Sequence, residues 1–319
     1  MNICVLGGTG FVGTELVTRL ALEGHWVRVP TRNLAHAERL RVLDTVELRV
    51  ANVHDPGALA QLFAGCDAAV NLIGILNPRR GASFQTVHVE LAGKVRAAAR
   101  GAGVRRLLHL SALGASESAP SSYLRSRAAG EAQLRATGAH PEASQPVVTI
   151  FRPSLIFGPD DSLTRRFARL LRLGAGFLPL ARPRTRFAPI CVLDVVEALV
   201  RSLGERATAD QSYELCGPEI LTLEQIVRLT ARCAGLACHI VPLPDLVARA
   251  QGMVLGLLPG KPFTLDNFRS LTVDCLCRED GCARLGIAPR PMLAVLPGYL
   301  GSNDPETQLS ELRRFADRL

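Results

Sequence analysis

Tyr123 and Arg127 stand four residues apart in the stretch SSYLRSRAAGE, residues 121–131. Residues i and i+4 on a helix share one face, so a phenol and a cation at this spacing meet. A free phenol, with a pKa near ~10, is a poor base at neutral pH, and a cation beside it makes it a better one. The pair therefore suits the proton-transfer half of a reductase reaction. Tyr213 and Tyr299 lie in the second half of the chain, outside this pattern. The cation is arginine, where such sites normally carry lysine. A guanidinium is wider and flatter than an ammonium, and it cannot pass a proton at any reachable pH. All but two of the 37 basic residues are arginine, the exceptions being Lys94 and Lys261. A general bias toward arginine is thus the plain explanation for Arg127.

The elements that must hold these residues follow an alternating pattern. Strand-like runs fall at 2–7, 26–31, 46–51, 68–74, 105–111 and 147–153, with amphipathic helices near 11–23, 57–64, 84–102 and 122–137. Strands rich in Val, Ile and Leu, separated by helices, build βαβ units and a parallel sheet covered on both faces. The expected fold is therefore α/β, a Rossmann-type doubly wound parallel sheet followed by a smaller C-terminal α/β domain for substrate or partner. Residues 1–153 form the dinucleotide-binding domain, with 187–216 adding elements back to it. Residues 154–186 and 217–319 form the smaller domain.

The first strand runs into VLGGTGFVGTELV, which sets Gly7, Gly10 and Gly13 where strand becomes helix. The first glycine permits the tight turn, the second lets backbone approach a pyrophosphate, and the third lets helix pack on strand. Free N–H groups and the helix dipole then favour the anion. An NAD site usually places an acid at the end of the second strand, ~20 residues past the glycines. Here VRVPTRNLAHAE has none before Glu38, and it has Arg32 instead, with Arg28 and His36 nearby. A guanidinium there matches a 2′-phosphate, so NADP(H) is the expected cofactor and NAD(H) the alternative.

Taken in order, GGTGFVG, NLIG (71–74), LLHLSALGA (107–115), YLRSR (123–127) and RPSLIFGP (152–159) resemble the short-chain dehydrogenase/reductase superfamily in its extended and atypical forms. Three later pieces narrow the resemblance: TRFAPICVLDVVEAL (185–199), YELCGPEILTLEQIV (213–227) and LPGKPFTLDNFRSL with its continuation to 301. They are similar to the branch containing the nucleotide-binding accessory subunit of respiratory complex I and its bacterial relatives. The resemblance implies that Gly7, Thr9, Gly10, Phe11, Val12 and Gly13 wrap the pyrophosphate, and that Arg32 meets the adenosine 2′-phosphate. Asn52 and Val53 fall where the family sets an acid and an apolar residue around adenine, and the acid is missing. Leu72, Ile73 and Gly74 would line the ribose and nicotinamide side, and Pro153, Ser154 and Leu155 would flank the nicotinamide. In the family's mechanism a serine orients the carbonyl, a tyrosine exchanges the proton, and a lysine holds the ribose. Ser111, Tyr123 and Arg127 match those positions, the last with the departure already noted.

Two functions stay open. One is a nucleotide-binding accessory or assembly protein of a respiratory NADH:quinone oxidoreductase, with little or no turnover. The other is an NAD(P)H-dependent reductase, dehydrogenase or epimerase on a small carbonyl compound, with quinone biosynthesis as one setting. Fold alone does not separate them.

Composition bounds the remainder. Apolar residues make up 48% of the 319, charged residues 21%, and the net charge is +8, which marks a folded globular protein with anionic partners. Aromatics at 5% do not interleave with basic stretches, so nucleic acid is not an expected partner. No apolar run reaches the ~18–20 residues that cross a bilayer. A strand pattern from the second residue leaves no room for a leader, so the expected location is cytoplasmic, with the periphery of the inner membrane as the alternative. Nine irregularly spaced cysteines argue against a disulfide framework. Cys275, Cys277 and Cys282 lack a second knuckle, and no metal site is expected. LTRRFARLLRL (163–173) could lie on an acidic membrane surface, and LVARAQGMVLGLLPG (246–260) could meet a partner. For both, packing on their own domain is the plainer expectation.

Overall fold

The computed structural model describes residues 1–135 and 145–300, in two compact units. Unit one comprises Met1–Pro153, Leu193–Leu215 and Cys277–Ile287. Its seven strands are β1 (Asn2–Leu6), β2 (Trp26–Thr31), β3 (Val46–Val50), β4 (Ala68–Asn71), β5 (Arg106–Leu110), β6 (Val147–Pro153) and β7 (Ser212–Leu215). They form one sheet in the order β7-β6-β5-β4-β1-β2-β3, and every pairing is parallel. The chain winds outward from β1 in both directions, so the fold is the doubly wound parallel sheet. The order reverses between β1 and β4, and a crevice opens there at the carboxyl ends of the strands.

Four helices serve the site: α1 (Phe11–Leu22), α2 (Pro56–Phe63), α3 (Leu91–Gly101) and α4 (Ser122–Arg135). Residues 136 and 137, the last of the expected fourth helix, lie outside the described residues. Leu6, Leu59, Phe63, Leu91, Val95 and Leu107 pack beneath the sheet with no exposed surface. Burial of this kind is worth roughly 1.5–3 kcal/mol per large side chain.

Two local departures bear on the site. The fourth strand stops at Asn71 rather than 74. The Asn71 carboxamide, itself buried, accepts from the Ile73 N–H at 3.1 Å, and Leu72–Gly74 leave the sheet as a loop. The helix expected over 84–102 begins as a π-type turn, Gln85–Glu90, before α3. Such turns recur at functional sites.

Unit two comprises Ser154–Val192, Cys216–Leu276 and the chain from Ala288. A two-stranded parallel ribbon pairs Phe177–Ala181 with His239–Leu243. The helix Ser162–Leu173 is capped by Asp161, which accepts from the Leu163 and Thr164 N–H groups, and it buries Phe167 and Leu171. This basic helix thus packs its apolar face on its own unit, as expected. The helix Asp245–Leu255 does not: it buries only Ala248 and Gly252. Cys216 and Cys277 are each disulfide-bonded, which corrects the expectation of thiols throughout. Among the described residues no group of three His, Cys, Asp or Glu is placed to hold a metal.

Candidate functional site

The turn between β1 and α1 is built by what glycine lacks. Gly7 has φ +82°, in the left-handed region that favours glycine. A Cβ on Gly13 would lie 2.1 Å from the Gly7 carbonyl oxygen and 2.6 Å from Gly8 Cα. Only a bare helix backbone can approach the turn this closely. Gly10 N–H donates to the Gly7 carbonyl at 3.0 Å and closes the turn. Gly10 is the N-cap of α1, no side chain caps that end, and no acid occupies its first turn. The helix start therefore offers free N–H groups and an uncompensated positive dipole end.

A cleft of about 990 Å3 opens over this turn, lined entirely by unit one. It brings together Gly7, Thr9, Gly10, Arg32, Asn52, Val53, Leu72, Ile73 and Gly74 of the residues singled out in the sequence. It also includes Asn33, His54, Arg79, Glu90 and Lys94, which sequence reasoning missed. Lys94 had a visible signal as one of only two lysines; nothing local marked the others. The Lys94 ammonium donates to the His54 carbonyl at 2.9 Å and ties α3 to the loop after β3. Burial, then the neighbouring Lys94 and Arg32 cations, push the His54 imidazole below its ordinary pKa. Around His54 the two cations Lys94 and Arg32 thus outweigh the one acid, Glu90. Phe11, Val12 and Gly13 do not line it: they form the first turn of α1, with Val12 and Gly13 buried. The shape fits a dinucleotide, because the cradle a Cβ would fill and the uncapped helix start converge on one wall.

The other cluster sits on α4 and the ends of β4 and β5. Tyr123, Arg127 and Glu131 recur at intervals of four on one face of α4, and Arg127 and Glu131 are buried. The Arg127 guanidinium lies 5.4 Å from the Tyr123 ring centroid. Its Nη1 donates to the Leu110 carbonyl at 3.2 Å, and Nε has no partner among the described residues. A Cβ on Gly74 would fall 2.0 Å from Nη2, so the guanidinium packs closely against Gly74, a residue of the cleft wall. Ser111 is buried, and its hydroxyl donates to Glu131 Oε1 at 2.5 Å. Arg152 grips the same carboxylate, through Nε at 2.9 and 3.1 Å and through Nη2. This Arg152–Glu131–Ser111 chain was not foreseen, because RPSLIFGP and AAGE give no hint that their charges meet.

Two histidines complete the cluster. His88 Nε2 accepts from the Ile75 N–H at 3.0 Å, so the ring proton sits on Nδ1 and donates to Ser126 Oγ at 2.7 Å. Ser126 in turn donates to the Tyr123 carbonyl at 2.7 Å. The His88 ring stacks on Phe84 and meets Tyr123 edge-on, at 5.4 and 5.7 Å between centroids. Burial first, then the charge on Arg127, push both His88 and His109 down to about 3. Pro153 ends β6 in unit one. Ser154 and Leu155 belong to unit two, where the Ser154 hydroxyl donates to the Cys275 carbonyl at 3.0 Å.

A family model described as NAD(P)H-binding matches residues 7–163. The chain is 30% identical to NADH dehydrogenase [ubiquinone] 1 alpha subcomplex subunit 9, mitochondrial, of Arabidopsis thaliana, over 86% of this chain and 71% of that protein. It is also 30% identical to the ceramide reductase of Caulobacter vibrioides, over 76% of this chain and 74% of that protein. The NADPH-dependent quinone oxidoreductase of Escherichia coli, solved with NADPH, superposes with a TM-score of 0.72 at 19% identity, covering 92% of this chain and 97% of that one. At that identity the likeness speaks for the fold alone. Among the described residues no helix is long and apolar enough to cross a membrane.

Proposed function

The chain belongs to the NAD(P)H-binding short-chain dehydrogenase/reductase family, in the atypical branch of the complex I alpha subcomplex subunit 9 proteins, and from that premise we propose that it is a nucleotide-holding accessory or assembly protein of a respiratory NADH:quinone oxidoreductase, with little or no turnover. One observation carries the second half of this reading. The Ser111 hydroxyl, which would have to donate to a substrate carbonyl, is committed to Glu131. Arg127 is likewise turned to the Leu110 carbonyl and the Gly74 backbone. A bound nicotinamide would supply hydride; what these residues do toward it is hold and wall, not move a proton. Gly7, Thr9 and Gly10 offer backbone to the pyrophosphate, and Phe11, Val12 and Gly13 orient the first turn of α1. Asn52 and Val53 face adenine. Leu72, Ile73 and Gly74 line the nicotinamide side, with Pro153 at its edge. Arg32, backed by the charge of Lys94, selects NADP(H) over NAD(H) through the 2′-phosphate. We place the protein at the cytoplasmic periphery of the inner membrane, against a complex I subunit.

A second reading, a reductase on a small carbonyl compound, draws support from the likeness to the ceramide reductase. The two separate in one experiment: denature the purified protein, identify the released nucleotide, and repeat with Tyr123→Phe. NADPH from both preparations, at equal occupancy and with no substrate-dependent oxidation in either, is the expected outcome. Turnover that Tyr123→Phe abolishes would establish the enzyme instead. No released nucleotide, and no thermal shift with added NADPH or NADH, would remove both.

A further inference from the structure

The helix Asp245–Leu255 of unit two is packed inside out. Its buried residues, Ala248 and Gly252, are small and one turn apart. A Cβ on Gly252 would come within 3.0 Å of the Leu265 nitrogen and the Thr264 carbonyl carbon, so the helix lies flush on the start of the helix Leu265–Ser270. The large apolar side chains point the other way. Leu246 and Met253, seven residues apart, form one exposed row; Val247 and Val254 form the next. The turn that follows adds Leu257 and Leu258. Leu246 is 80% exposed, Leu257 89% and Val254 62%. An ordinary surface helix shows the reverse arrangement, with its apolar stripe toward the core. Isolated exposed aliphatics are common, but six within thirteen residues mark a surface that something covers.

The chemistry of the patch says what covers it. It is aliphatic throughout, with no tryptophan, tyrosine or side-chain donor among the six. Specific protein interfaces draw most of their energy from such anchors. Acyl chains ask for none, since apolar burial is non-directional. Charge settles the kind of surface. Between 240 and 265 Asp245 is the sole acid, and Arg182 pairs with it. Arg249 flanks the exposed rows, with its guanidinium 5.6 Å from the Phe268 ring centroid. Arg166 donates to the Pro262 carbonyl at 2.8 Å and so fastens the turn to the helix Ser162–Leu173, whose Arg169 and Arg172 are exposed. An eleven-residue helix cannot span a bilayer of ~30 Å. It can lie in the interfacial plane, apolar rows down and arginines at the headgroups. The geometry points to Asp245–Leu258 as a docking face for an anionic lipid bilayer, a property independent of the nucleotide cleft in unit one.

Flotation of the full chain with vesicles tests this. Phosphatidylcholine vesicles containing phosphatidylglycerol should carry the protein up; pure phosphatidylcholine vesicles should carry far less, and added salt should weaken the first. The triple variant Leu246→Ser, Met253→Ser, Leu257→Ser should bind at least about tenfold more weakly, with an unchanged melting temperature and unchanged nucleotide content. Leu257→Trp in a Trp26→Phe background gives a readout that needs no loss of function. Its emission should shift to the blue on anionic vesicles and be quenched by brominated acyl chains. Three results would overturn the docking face: no flotation with either vesicle, equal flotation of the triple variant, or an unshifted tryptophan. A concentration-dependent dimer that the triple variant dissolves, without vesicle binding, would assign the patch to a second copy of the chain and overturn it equally.

Discussion

The two ends of the site in unit one treat polar groups in opposite ways. Around the first turn of α1, backbone N–H groups and cations are left facing a cleft: Gly10 heads an uncapped helix, and Arg32 and Lys94 line the wall. Around α4, Ser111, Arg127 and His88 turn toward other groups of the protein. Ser111 serves Glu131, Arg127 serves Leu110, and His88 bridges the Ile75 amide and Ser126. On the reading proposed above, the fold keeps a ligand's footprint while Ser111 and Arg127 serve structure. The difference is legible in hydrogen-bond partners, not in residue identity, since Ser111 and Tyr123 are the residue types a working site would carry.

The largest effect that could break this contrast is at the open end. Gly13→Ala puts a methyl against the Gly7 carbonyl and should cost on the order of 3 kcal/mol or more, as overpacking against rigid backbone does. Thermal melts should show it, and no nucleotide should be recovered. At the closed end, Glu131→Gln removes the charge that Arg152 and Ser111 share. Glu131 is buried but the Arg152 side chain keeps 28% exposure, so solvent softens the loss to about 2–3 kcal/mol. Urea denaturation measures it, and nucleotide content should hold in whatever remains folded. If Glu131→Gln instead switches on carbonyl reduction, the closed end was a latch rather than a scaffold.

Acid should discriminate next. His88 and His109 stay neutral in the fold down to about pH 3, whereas the unfolded chain protonates them near 6.5. Between those values the unfolded state binds more protons, so stability is full above 6.5 and is lost as pH falls. At pH 5 the fully buried His109 alone should cost about 2 kcal/mol relative to pH 7.5, and His109→Gln should flatten that slope. Denaturation curves at the two pH values check the sign. The smallest effect belongs to Tyr123→Phe, with a stability change within about 1 kcal/mol and no change in nucleotide content.

Most of this architecture is legible in the chain itself. The βαβ alternation and the glycine spacing carry it, because strand runs and turn glycines are local signals. What stayed hidden was tertiary. Glu131 and Arg152 are 21 residues apart, on a helix and a strand, and nothing in either segment announces the other. Asn71 looks like one more residue of an apolar run, yet its carboxamide ends the strand. The stretch 246–260 reads as an ordinary domain helix, since periodicity shows that a helix has an apolar face but not which way that face is turned. Here Ala248 and Gly252 won the interior by being small enough for close approach.

The shared carboxylate of Glu131 also bears on redesign. On the reading proposed above, Arg127→Lys alone would not install hydride chemistry, because Glu131 would still hold the hydroxyl of Ser111. Releasing it by losing Glu131 strands Arg152, and losing Arg152 first strands Glu131. Either single loss leaves a buried or half-buried charge without its partner and costs stability, so the two would have to be replaced together. Three side chains in one hydrogen-bonded row therefore change only as a set.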